Sequence, residues 1–343
     1  MLRLVGAVFT FASLVYAVDN EDHVRKALAV SAATRLAMNA EFGSINIQPG
    51  GGRSVEVETY FRGTPPSRDE FDRMRRDFRL EVTEQGSEVR VNATFQSGWK
   101  PMPFPIFLIG HAICHDGRCL EYSSWLRGVE YRIRVPFQFC VDVATSGGPI
   151  SVDGLKGEVN AHTSGGSLRF NHIDGPVTGR TSGGSITLAG VKGRAALHTS
   201  GGSIHVSEIA GDLDASTSGG SISVDRVSGS VRAHTSGGRI SLDGAIGAID
   251  ASTSGGSVTA SLLTQPQQEC RLSTSGGSIN VNLPKDAHLN LDASTSGGRV
   301  STDFPVNNVS DRHHRALRVP LNGGGPLLYL HTSGGGISVR RAG

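Results

Sequence analysis

The sequence is sparing with the features that usually announce a chemistry. Its 33 Lys and Arg against 31 Asp and Glu leave a net charge of +2. Within residues 145–262 eight basic residues face nine acidic ones. Neither balance provides the basic footprint that nucleic acid or an anionic membrane surface requires. Aromatic residues make up only 6% of the chain and methionines number four. One apolar run stands out, Leu4 to Val15, and it is short of the ~20 residues of a membrane-spanning helix. No Gly-Lys-Ser/Thr follows the glycine runs, which excludes a phosphate loop. The Gly-Gly-x-Gly-x-Asp nonapeptide of calcium-binding β-rolls is missing too.

What the chain has in quantity is glycine, 46 residues of 343, and 20 of them sit in ten copies of one motif. Thr-Ser-Gly-Gly begins at Thr145, Thr163, Thr181, Thr199, Thr217, Thr235, Thr253, Thr274, Thr295 and Thr332. The first seven copies are 18 residues apart, the next two steps are 21, and the last is 37. A fixed short period marks one structural unit stacked on copies of itself.

Counting from each Thr, position +5 reads Ile150, Leu168, Ile186, Ile204, Ile222, Ile240, Val258. Position +7 reads Val152, Phe170, Leu188, Val206, Val224, Leu242, Ala260. Apolar residues two apart are the signature of a strand. Positions +14 and +16 are again apolar or small, as in Val159 and Ala161 or Val231 and Ala233. Parity changes between +7 and +14, so a corner lies between them, with +10 (Leu155, Ile173, Val191, Ile209, Val227) turned inward. Gly-Gly is expected to bend the chain at φ > 0, and the glycine at +12 to supply the other turn. The motif Thr shares parity with the inward +14 and +16 positions. Its hydroxyl is therefore expected inside, bonded to a neighbouring turn, because an unpaired one would cost a few kcal/mol.

These features predict an all-β chain: a right-handed parallel β-solenoid of 18-residue turns. Ten turns stacked in sequence order would span on the order of 48 Å at the strand spacing. Residues 1–17 read as a secretory signal, with Arg3 before the apolar run and a cut after Ala17. Residues 18–144 read as a β-rich N-terminal capping part of the solenoid, carrying a Cys-containing insertion at 100–127, and 145–343 as the repeat array. Phe42–Ile47 looks like a degenerate opening turn. Ser67–Phe78 reads as the one short helix, with Ser67 and Glu70 as a capping box and Phe71, Met74 and Phe78 on one face.

Cys114 and Cys119 lie close enough in sequence to pair as a disulfide in an exported chain. Cys140 and Cys270 would be seven turns apart, about 34 Å, far beyond the ~7 Å reach of a disulfide. Finding that bond by mass spectrometry would rule out the solenoid.

Several patterns suggest chemistry. Ser146-Gly147-Gly148-Pro149 resembles the nucleophile segment of chymotrypsin-like proteases, but it is one of ten near-identical turns and lacks a His and Asp framework. His162, His198 and His234 recur in alternate turns, about 9.6 Å apart by the strand spacing, too far for one metal. His111, Cys114, His115 and Cys119 could be drawn as a zinc site, but export favours the disulfide. Asp225 and Asp243, in adjacent turns roughly 5 Å apart, are the best candidates for the paired carboxylates of a polysaccharide-cleaving β-helix. No basic or aromatic companion recurs beside them. Rows of Thr and Ser could match an ordered lattice as in ice-binding proteins, but the motif sits at a bend.

The recurring Thr-Ser-Gly-Gly-Ser-Ile-x-Val with a following Gly-x-Val-x-Ala, the Phe42–Ile47 unit and the closing segment from Gly323 to Ile337 together resemble the bacterial putative-adhesin family, DUF4097. The resemblance covers roughly residues 40–343 without the insertion. It implies an exported or envelope-associated parallel β-solenoid and carries no catalytic residues over. The expectation is thus a non-enzymatic, adhesin-like binding or scaffold module at the cell envelope, periplasmic, outer-surface or secreted. The alternatives are a carbohydrate-active β-helix and a ladder-type surface binder. No catalytic, cofactor or metal residue is assigned. Partners are an envelope glycan or another surface protein, and not nucleic acid.

Overall fold

A computed structural model describes residues 16–20, 23–62, 68–95, 113–115, 118–120, 128–262, 264–306 and 314–342. Two large sheets, of 15 and 14 strands, account for nearly all of them. Each repeat contributes one strand to each sheet. Ile150–Asp153, Leu168–Asn171, Ile186–Val191 and their successors run parallel in the first. Val159–Thr163, Val177–Thr181, Ala195–Thr199 and their successors run parallel in the second. The register steps by 18 residues from Val141 to Val159 to Val177, so each repeat stacks on its own copy.

The apolar positions face inward as expected. Ile150, Val152, Leu168, Phe170, Ile186 and Leu188 are buried from one sheet, and Val159, Ala161, Val177, Ala195 and Leu197 from the other. Leu155, Ile173, Val191, Ile209 and Val227 close the corner between them. That parity change is made at position +9, where the chain turns through positive φ: Gly154 (71°), His172 (51°), Gly190 (65°), Glu208 (57°), Arg226 (53°) and Gly244 (67°). Half of these are not glycine, which hid the corner from the sequence.

The expected positive φ at Gly-Gly is corrected: no glycine of the motif has one among the described residues. The second glycine is required for space instead. A Cβ on Gly166 would sit 1.9 Å from the carbonyl oxygen of Gly148 one turn away. The stacked glycines approach too closely for any side chain.

The turns do not stack wholly in sequence order. Arg35–Ala40 and Ser44–Pro49 form the opening turn, as the Phe42–Ile47 pattern suggested. It lies between the turn made by Glu88–Phe95 with Val129–Val135 and the turn beginning at Cys140. At the other end, Leu327–Thr332 and Ile337–Arg341 lie between Cys270–Leu283 and Leu289–Thr302. The first and last turns of the chain are each tucked one layer inside the rod. Antiparallel strands then cover the ends: Phe78–Gln85, Ser54–Phe61 and His23–Ala29 at one, Ala316–Leu321 at the other. These caps occupy edges that would otherwise invite pairing with another chain.

A helix, Arg68–Asp77, joins two of the capping strands. Ser67, and the side chains of Glu70, Phe71 and Met74, lie outside the described residues, as do residues 1–15 of the expected signal and most of 96–127. Tyr16–Asn20 pairs with His23–Ala29 and spans the expected cut. The expected insertion at 100–127 falls in sequence between the strands Glu88–Phe95 and Val129–Val135. Ala93 is the register equivalent of the motif Thr through Ala40 and Thr145, so the insertion stands where other turns have Thr-Ser-Gly-Gly.

Candidate functional site

The most repeated chemistry in the chain is the motif hydroxyl, and all ten motif threonines are buried, with exposures of 0–6%. Nine donate to the carbonyl of the second motif glycine in the adjacent layer, and Thr145 donates to Gly43 of the opening turn at 3.3 Å. Thr181 reaches Gly166 at 2.8 Å, Thr199 reaches Gly184 at 2.8 Å and Thr217 reaches Gly202 at 2.8 Å. The same oxygen accepts the amide of its own turn's second glycine, as Thr217 does from Gly220 at 3.3 Å. One hydroxyl thus joins two layers and satisfies two backbone groups at a bend. The serine after the glycines adds a second ladder, since its hydroxyl accepts the next turn's amide: Ser185 from Ser203 at 3.3 Å, Ser203 from Ser221 at 3.2 Å. With its oxygen committed to these bonds, the Thr has no free hydroxyl to offer a substrate. Ser146, in the protease-like segment, begins one more of these corners.

The outer faces carry the remaining candidates. His162, His198 and His234 are exposed on the second sheet, each in line with the next. His198 and His234 hydrogen-bond Ser216 and Ser252, both at 2.8 Å through Nδ1, and His331 meets Ser294 at 3.0 Å. Among the described residues no three His, Cys, Asp or Glu side chains converge as a metal site would require. Of the drawn zinc set, His111 lies outside the described residues and the side chains of Cys114, His115 and Cys119 are not described.

Asp225 and Asp243 are register partners on the first sheet, as expected. One arginine stands beside them, though none recurs from turn to turn. Arg226, at the positive-φ corner, pairs with Asp225 at 2.7 Å and with Glu208 at 2.8 Å. The hydrogen bond that Arg226 donates to Glu208, followed by the charge of Asp225, raises the Arg226 pKa further.

Two buried groups were not legible in the sequence. The Tyr131 hydroxyl has no hydrogen-bond partner among the described residues, and burial, with the nearby charge of Glu41, pushes its pKa strongly upward. Cys270 is buried and unpaired, and burial raises its thiol pKa. Cys140 is also unpaired and lies seven strands from Cys270 along the second sheet.

Residues 177–340 match the family model described as Toastrack DUF4097. Among solved structures, a putative adhesin from Bacteroides fragilis NCTC 9343 is 10% identical, with 94% of this chain and 98% of that one covered and a TM-score of 0.33. A putative adhesin from Parabacteroides distasonis ATCC 8503 is 15% identical, with 76% and 96% covered and a TM-score of 0.33. A putative cell adhesion protein from Clostridium sporogenes ATCC 15579 is 9% identical, with 93% and 99% covered and a TM-score of 0.23. No curated protein sequence matches the chain. The resemblance carried by the repeat is borne out by that match over residues 177–340.

Proposed function

We propose that this chain is an exported, non-enzymatic, adhesin-like module that binds or scaffolds at the cell envelope. One observation carries the reading: the repeated hydroxyls and glycines are consumed in joining layers. What each repeat leaves outside is two long, flat, polar faces, and extended regular faces suit recognition of a polymer or another protein surface. The domain reading is kept with it: a signal at 1–17, a β-rich part at 18–144 with its insertion at 100–127, and the array at 145–343. Export also fits a Cys114–Cys119 disulfide. The two residues are directly opposite in an antiparallel pair, Ile113–His115 with Arg118–Leu120. Opposite residues in such a pair have Cα atoms about 4.5–5.5 Å apart, within the range a disulfide spans.

A glycan array probed with the purified protein tests the binding reading, with envelope glycans expected among the hits. The rival reading, a carbohydrate-active β-helix, rests on the adjacency of Asp225 and Asp243. Asp225→Asn with Asp243→Asn should leave the ligand profile unchanged in a binding module. Product release from any polysaccharide, abolished by that double substitution, would overturn the non-enzymatic reading.

A further inference from the structure

One row on the outer face of the second sheet alternates in charge. Asp214, Arg232, Asp250 and Arg271 are register partners in consecutive turns. The row reads acid, base, acid, base, with successive members about 4.8 Å apart. Arg232, Asp250 and Arg271 are exposed and Asp214 is half-buried. Arg271 pairs with Glu269 at 3.1 Å, while the other three form no ion pair among the described residues. The four line a shallow trough with Arg194 and Asp212.

Turned end for end, an alternating row becomes its own complement. A two-fold axis parallel to the strands, placed between Arg232 and Asp250, sets each Arg232 against the other copy's Asp250. It also sets each Asp214 against the other copy's Arg271. In the neighbouring row His234 then meets Ser252 and Ser216 meets Ser273. Asp212 and Glu269 would face each other, a like-charge contact at the edge of the row that the Arg271 beside Glu269 offsets. A two-fold axis along the rod would oppose like charges and is disfavoured. We infer that this face is a self-association surface whose partner is a second copy of the chain, docked with the rods antiparallel. Such an isologous contact is closed, so it makes dimers and not filaments. Its charges set register and orientation more than affinity.

Sedimentation equilibrium on the full chain tests this. Arg232→Asp with Arg271→Asp makes the row wholly acidic, and Asp214→Arg with Asp250→Arg makes it wholly basic. The unmodified chain should dimerise at low salt and dissociate as salt screens the row. Each double variant alone should lose association by more than about tenfold, and an equimolar mixture should recover it, because like charges across an interface cost several kcal/mol and opposite ones do not. Circular dichroism confirms that the variants are folded. Should either double variant unfold, Arg232→Asp mixed with Asp250→Arg provides the same complementation. A chain that stays monomeric across concentration and salt, variants that associate like the original, or a mixture no tighter than its components would each overturn the proposal.

Discussion

Thr295 donates its hydroxyl proton to the carbonyl of Gly335 at 2.7 Å, although Gly335 lies 40 residues further along the chain. Thr332 in turn donates to Gly277 at 2.7 Å, across 55 residues, passing over the motif at 295–298. The motif bond that elsewhere joins consecutive repeats here joins a turn to the one that follows it in sequence and precedes it in space. The last turn is thus a layer inserted between two earlier ones.

Removing residues 324–343 should therefore open the rod from within. Leu328, Leu330, Ile337 and Val339 are all buried in that layer. At about 1.5–3 kcal/mol per buried apolar side chain, their loss should destabilise the C-terminal end by several kcal/mol. Hydrogen exchange should show Leu289–Thr302 losing protection although every residue of it is still present. Unchanged protection there would show that the inserted layer is dispensable.

The two glycines of a motif should respond differently to the same substitution. A Cβ on Gly220 would lie 1.9 Å from the Gly202 carbonyl oxygen, whereas on Gly219 the nearest atom is 3.7 Å away. Gly220→Ala must push two layers apart and should cost more than about 3 kcal/mol, at the upper end of single substitutions. Gly219→Ala should stay within about 1 kcal/mol. Urea melts of the two variants decide this, and equal costs would mean that conformational freedom matters here more than close approach.

Thr217→Val keeps the shape of the side chain and removes its hydroxyl. The Gly202 carbonyl and the Gly220 amide then lose their partner, at about 1–3 kcal/mol for each group left buried and unsatisfied. Thr217→Ser should recover most of the loss, since it restores the oxygen. A valine variant as stable as the parent would mean that packing alone holds the layers.

Acid should loosen the N-terminal cap before the repeats. Burial acts to raise the Glu84 pKa, but the amides of Ala32, Ser31 and Ala33 and the Ser31 hydroxyl outweigh it and the pKa is lowered. Each of these donors sits 3.2 Å from Oε1. A carboxylate with a depressed folded pKa stabilises fully above its unfolded value, ordinarily near 4.3. That contribution fades as pH falls through the lowered one. Exchange at Ser31–Ala33 should rise over that window, and Glu84→Gln should remove the pH dependence.

Much of the core was legible because the repeat writes its burial pattern many times. In the copies spaced by 18 residues, positions +5 and +7 and the motif Thr are inside, as is +10 from Leu155 to Ala245, since a two-residue alternation on a pleated strand leaves a side chain no other face. The opening turn at Phe42–Ile47 was legible for the same reason. The corner at +9 was not. His172, Glu208 and Arg226 adopt a backbone usually reserved for glycine, and only the stacking of six equivalent corners compels it. Nor was the fit of Phe170 into the space left by Gly179, where a Cβ would meet the ring at 2.8 Å. On the outer faces the aspartate pair was legible as neighbours, but the ion pair of Arg226 with Asp225 depends on that same hidden corner.

By itself the sequence determined the unit: two short strands, a threonine turned inward, and glycines where the backbone bends. Periodic burial and inter-turn bonding are local consequences of spacing, so they follow from the residues alone. Only the tertiary structure decided the order of the layers. The first and last turns lie inside the rod because near-identical repeats offer nearly equivalent partners to stack on. With local pairing almost degenerate, the choice falls to contacts far apart in the chain, among them the capping strands at each end.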